Sequence, residues 1–142
     1  MTTIRLEKIE IPPLGIHLTL GVRVNGVSTN MVLDTGASRS VIDLDYLSEI
    51  IPELSLNEEE MSSASVGAGD LQSFTTILDL IEIEEFRISQ FEIAVMDLTH
   101  VKSSYLQLGE EAVFGVIGGD ILSEYDALID YSALTLKLRP NN

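Results

Sequence analysis

Cysteine is absent from the 142-residue sequence, which excludes disulfides, thiolate chemistry and cysteine-ligated metals. Histidine occurs only twice, and His17 and His100 stand far apart. A zinc site is therefore not expected. Basic residues are scarce, with 8 Lys and Arg against 23 Asp and Glu and a net charge of −15. A phosphate backbone needs cationic contacts, so nucleic acid is not an expected partner. The acidic excess reads first as a solvated, mutually repelling surface. No apolar run approaches the length of a membrane span. Met1 to Glu10 carries no continuous apolar stretch of the signal-peptide kind. The expectation is a cytoplasmic chain with no membrane partner, forming one domain over residues 1–142.

What is present is mostly strand pattern. Ile16 to Val24 alternates with period two. Asn25-Gly26 is a strong hairpin signal, and Val27 to Leu33 reads as the return strand. Phe74 to Ile83 and Phe86 to Met96 read as further strands. Asp43 to Ile50 predicts a short helix capped by Asp43, with Pro52 just beyond it. Residues 99–108 suggest another, stopped by Gly109. Val113 to Ile117 reads as a buried strand and Gly118-Gly119 as a turn. A helical turn capped by Asp120 follows, and Ala127 to Tyr131 with Leu134 to Leu138 forms a terminal hairpin. Glu58-Glu59-Glu60 reads as a solvated loop. The pattern predicts a mainly β fold, a closed or nearly closed barrel with one or two short helices.

Two segments carry chemistry. In Met31-Val32-Leu33-Asp34-Thr35-Gly36-Ala37-Ser38, three apolar residues lead into one carboxylate presented on a glycine turn. Burying even a neutral polar group without a partner costs roughly 2–7 kcal/mol. A carboxylate at the end of an apolar strand therefore suggests a task. The second segment is Val116-Ile117-Gly118, followed by Gly119-Asp120. In isolation Asp34 is equally a turn aspartate. Asp43, Asp120, Asp126 and Asp130 read as caps and turn residues, and His17 as structural.

Together, Asp-Thr-Gly-Ala-Ser and the later hydrophobic-hydrophobic-glycine strand resemble the two signatures of retropepsin-like aspartic proteases. Residues 125–138 resemble the end of their bacterial single-domain members, and the likeness spans roughly residues 16–138. It implies a single-lobe acid-protease barrel acting as a two-fold homodimer on peptide or protein substrates, an activity that calls for no metal or organic cofactor. Asp34 is then the catalytic carboxylate and Thr35 hydrogen-bonds across the dimer axis. Gly36 lets its backbone N–H approach the carboxylate, and Ala37 and Ser38 line the substrate cleft. Val116, Ile117 and Gly118 are the structural motif. Val66, Gly67, Ala68 and Gly69 are expected to form the tip of a flap over the substrate. One Asp-Thr-Gly per chain means that the second carboxylate comes from a symmetry mate.

Three departures stand out. Ser38 and Gly119 replace residues that retroviral enzymes usually carry as Asp and Arg, so the contact made by that Arg must be replaced. Residues 97–113 are longer than the retroviral segment and are expected to add a helix beside the barrel. The alternatives to an endopeptidase are a catalytically silent peptide-binding module on the same fold and a structural barrel dimer with no peptide ligand.

Overall fold

A computed structural model describes residues 1–11, 13, 15–59 and 72–141. Strands β1 (Thr2–Arg5) and β2 (Glu7–Ile11) precede the long β3 (Gly15–Val24) and β4 (Val27–Leu33). β5 (Val41–Asp43), α1 (Leu44–Ile50) and β6 (Asn57–Glu59) follow, then β7 (Ser73–Ile83) and β8 (Phe86–Met96). The chain ends with α2 (Thr99–Gln107), β9 (Gly115–Ile117), α3 (Gly119–Glu124), β10 (Leu128–Asp130) and β11 (Thr135–Leu138).

β3, β4, β9, β5, β8 and β7 pair in that order, and β7 returns to β3 through Arg23↔Glu82 and Val24↔Ile81. This closes the barrel. Asn25 serves the β3–β4 turn with a positive φ of 47° and also locks the closure. Its N–H donates to Leu80 O at 2.9 Å, and its side-chain Oδ1 accepts the Leu80 N–H at 3.1 Å. β2 and β6 extend the sheet at its two ends, and β1, β11 and β10 form a separate three-stranded sheet.

Alternation along the strands sorts side chains into two layers. Leu18, Leu20, Val22, Val24, Met31, Leu33, Ile42, Leu78, Ile81, Ile93 and Ile117 fill the barrel interior. The outer face of β2–β4 carries a second cluster, in which Ile9, Ile11 and Val113 pack with Tyr105 of α2. The segment over 97–113 contributes the expected helix, and Tyr105 Oη pairs with His17 Nδ1 at 2.5 Å.

Asp43 joins the two layers. It caps α1 by accepting the Tyr46 N–H at 3.0 Å, as the sequence predicts. It also accepts the Leu98 N–H at 2.8 Å and pairs with Lys102 Nζ of α2 at 2.7 Å. The Asp43 side chain is 0% exposed and that of Lys102 19%. At the start of α2, the Thr99 hydroxyl and then its amide hold the Asp97 carboxyl below its ordinary range. That contribution is present above the ordinary aspartate range and is lost as pH falls through the depressed value.

Some expectations need correction. Glu58 and Glu59 lie in β6, paired with Phe74 and Ser73, because the backbone finds a partner in β7 whatever the charge of its side chains. Gly118-Gly119 is the start of α3, with Gly118 as N-cap and no side-chain cap. Asp120 is therefore not the N-cap residue, and its Oδ1 accepts the Ile121 N–H from within the first turn. The flap assignment of Val66, Gly67, Ala68 and Gly69 lies outside the described residues.

Removing one member of a buried ion pair strands the other. Lys102→Met is expected to destabilise the fold by about 3 kcal/mol, measured by urea denaturation. Lys8→Met, which removes an exposed partner of Glu10, is expected to cost less than about 0.5 kcal/mol.

Candidate active site

The site grows from the way β9 is threaded. β4 pairs with β9 in parallel through Met31↔Gly115, Val32↔Val116 and Leu33↔Ile117. β5 pairs with the opposite edge of β9 through Val41↔Val116 and Ile42↔Gly115. The loop over 34–40 must therefore leave one edge of β9, cross its end and come back along the other. Glycine is required where the crossing is tight. A Cβ on Gly118 would lie 2.7 Å from the carbonyl oxygens of both Ala37 and Arg39. A Cβ on Gly115 would lie 2.6 Å from Val41 O. The hydrophobic-hydrophobic-glycine motif is thus the end of a strand followed by a residue that must have no side chain.

The loop is held along its length. The Asp34 N–H donates to Ile117 O at 3.0 Å, and the Gly119 N–H donates to Ala37 O at 2.7 Å. At its end the Ser40 N–H donates to both oxygens of Asp120 at 2.9 Å. The Ser40 hydroxyl donates to Asp120 Oδ1 at 2.7 Å and accepts the Gly118 N–H at 2.9 Å. At the tip, the Gly36 N–H donates to Asp34 Oδ1 at 2.9 Å and the Ala37 N–H to Asp34 O at 3.2 Å. The backbone N–H of Gly36 thus approaches the carboxylate as the resemblance implies.

Asp34, Thr35, Gly36 and Ser38 are exposed in the single chain, and Ala37 is half-buried. The expectation of a buried carboxylate is corrected here: the apolar strand stops at Leu33, and the turn lifts Asp34 into solvent. Val116, Ile117 and Gly118 stand beneath this loop and do not join its exposed surface. Sequence reading missed Ser40 and misassigned Asp120. Eighty positions separate them, and no local pattern links residues that far apart. Among the described residues no cluster of His, Asp or Glu could hold a metal ion. A cavity of about 500 Å³ lined by Arg5, Glu7, Gly21, Asn30, Glu84 and Phe114, among others, shares no residue with the Asp34 loop.

This threaded strand, with a carboxylate on a glycine turn above it, defines the class, and comparison with known proteins agrees. The aspartyl protease family profile matches residues 20–121, most of the chain. The chain belongs to the aspartyl protease family. No curated protein matches it significantly. Among solved structures it is similar to the retroviral protease-like domain of Ddi1 from Leishmania major, at 18% identity and TM-score 0.60, over 89% of this chain and 90% of that one. It is similar to a retropepsin-like aspartic protease from Rickettsia conorii, at 16% identity and TM-score 0.58, over 95% and 92%. The EIAV protease, complexed with the inhibitor HBY-793, matches at 20% identity and TM-score 0.50, over 75% and 85%. These likenesses establish the retropepsin-like fold.

The crossing predicts opposite outcomes at two glycines. Gly118→Ala drives a methyl into two backbone carbonyls and is expected to cost about 3 kcal/mol. Gly21 lies in β3 with open space around it. Gly21→Ala is expected to leave stability unchanged or raise it by about 0.5 kcal/mol. Thermal denaturation of both variants checks the contrast.

Proposed function

We propose that the protein is an aspartic endopeptidase whose active site forms when two copies bring their Asp34 carboxylates together. The observation that carries this reading is the exposed Asp34 on its glycine turn, one per chain, above a strand built to support that loop. An isolated exposed carboxylate has no partner to share a proton with. Two of them on a two-fold axis cannot both ionise. The ionised member takes a proton from a water, and the protonated member donates to the scissile carbonyl. The water attacks the carbonyl carbon to give a tetrahedral intermediate, and the carboxyl that took the water's proton passes it to the leaving nitrogen as the C–N bond breaks, releasing amine and carboxylic acid. Thr35 would brace the two loops across the axis, and Ala37 and Ser38 would line the cleft. No metal or organic cofactor enters this mechanism.

A second copy also suits the terminal sheet. Among the described residues β10 is an edge strand, and Leu128 at its start and Tyr131 just past its end are 55% and 63% exposed. Unpaired edges and exposed apolar side chains favour association.

Asp34→Asn is expected to abolish hydrolysis of a peptide library while the fold and peptide binding persist. A mixed dimer keeps one carboxylate and is expected to be nearly inactive, so excess variant should suppress wild-type activity beyond dilution once subunits exchange. Wild-type activity should peak at acidic pH and decline toward alkaline pH, because the dyad needs one proton. Cleavage by pure Asp34→Asn protein at the wild-type rate would overturn the reading. A pure peptide binder would show binding by both proteins and turnover by neither.

Each copy carries −15, so like charge opposes pairing. The screening length is about 8 Å at 0.15 M salt and about 3 Å at 1 M. Dimerisation should therefore tighten as salt is raised, and sedimentation or light scattering at several salt concentrations checks it.

A further inference from the structure

We infer that Ser40 and Asp120 are positioning residues, a clasp that fixes the Asp34 loop over the end of β9. The inference rests on the dyad reading for its effect on turnover, and on geometry alone for its effect on the loop.

Ser40 is 0% exposed and is the last residue of the loop before β5. Asp120 takes both of its donors, the N–H at 2.9 Å and the hydroxyl at 2.7 Å, together with the Ile121 N–H at 2.8 Å. The same hydroxyl accepts the buried Gly118 N–H at 2.9 Å. One side chain therefore satisfies the glycine at the crossing point and is itself held by a carboxylate. Hydrogen bonds to an ionised acceptor are roughly twice as strong as neutral ones.

This carboxylate serves the helix start and the loop together, since it also accepts the Ile121 N–H of α3. α3 starts from Gly118, and the acid of its first turn reaches sideways to the loop. The loop then meets a single segment, residues 117–121, through two backbone bonds, Asp34 to Ile117 and Ala37 to Gly119, and through Ser40, which bonds both Gly118 and Asp120. The first two are backbone bonds that any sequence could make. The third depends on side-chain identity.

A dyad depends on the separation of two carboxylates. A misplacement of about 1 Å can cost about 100-fold in rate. Release of one end of the loop should alter that separation, while the cleft walls stay where they are.

The test uses the full chain with Ser40→Ala, Ser40→Thr and Asp120→Asn, and two readouts. In peptide hydrolysis, Ser40→Ala and Asp120→Asn are expected to lower kcat by about 10- to 100-fold with KM within about twofold. They should also shift the pH profile of kcat, because the coupling of the two carboxylates changes with their separation. Ser40→Thr keeps the hydroxyl and should recover kcat to within about threefold. In native-state hydrogen exchange, the Asp34, Ala37 and Gly119 amides should exchange at least about tenfold faster in Ser40→Ala and Asp120→Asn, with barrel strands β7 and β8 unchanged. Wild-type kcat and pH profile in both, despite lower melting temperatures, would overturn the positioning role. Unchanged exchange at those three amides would overturn the clasp itself. If the wild type cleaves no peptide, the dyad reading fails, and the exchange arm decides the clasp by itself. If Ser40→Ala does not fold, Asp120→Asn carries both readouts.

Discussion

One steric constraint organises this molecule: a loop must cross the end of a strand at backbone contact distance. β9 lies between β4 and β5, and the connection between those two strands passes over Gly118. Two carbonyl oxygens stand where a Cβ would be. The same crossing sets Asp34 next to Ile117 and brings Ser40 to Asp120. If β9 shifts, the carboxylate shifts with it. The support of the site is therefore part of the barrel sheet and is fastened by its ladder.

The rest of the fold keeps that sheet in place. Closure between β3 and β7 removes two edges that would otherwise fray or associate. The second apolar layer, built on Tyr105 and Val113, covers the outer face of β4. Asp43 ties this layer to the barrel at the point where β5 becomes α1. A buried ion pair offers little net stability compared with apolar packing, but it is intolerant of losing one member. Its value here is geometric, since its carboxylate sets the position of the start of α1, the entry to α2 and the end of β5 at once.

The exposure of Asp34 bears on the proposed pairing of two chains. In one copy the carboxylate faces solvent on a convex turn, and the described cavity shares no residue with it. Water screens a lone acid there. The unusual electrostatics of a shared proton can arise only where two such turns face one another in a dry cleft. In the proposed dimer, catalytic character is therefore a property of the interface. Each chain contributes a rigid, correctly shaped half.

Much of this was legible in the sequence. Period-two alternation located β3, β4, β7 and β8, since each buries one face. Asn25-Gly26 marked a turn that needs positive φ at both positions, and Asp43 marked the start of α1. The order of Asp34-Thr35-Gly36 and Val116-Ile117-Gly118 indicated the fold through its resemblance to the two signatures of retropepsin-like proteases. Short or charged strands were not legible. β1, β2, β5 and β6 lack a long apolar pattern and are strands because a partner edge awaits them. Nor were the roles of Ser40 and Asp120 visible, or the second duty of Asp43 toward Lys102. Local sequence determines which residues favour strand, turn or cap, because those preferences act over a few bonds. Only the tertiary structure decides which distant donors meet a carboxylate and whether that carboxylate is buried, because both depend on where the closed sheet brings remote segments together.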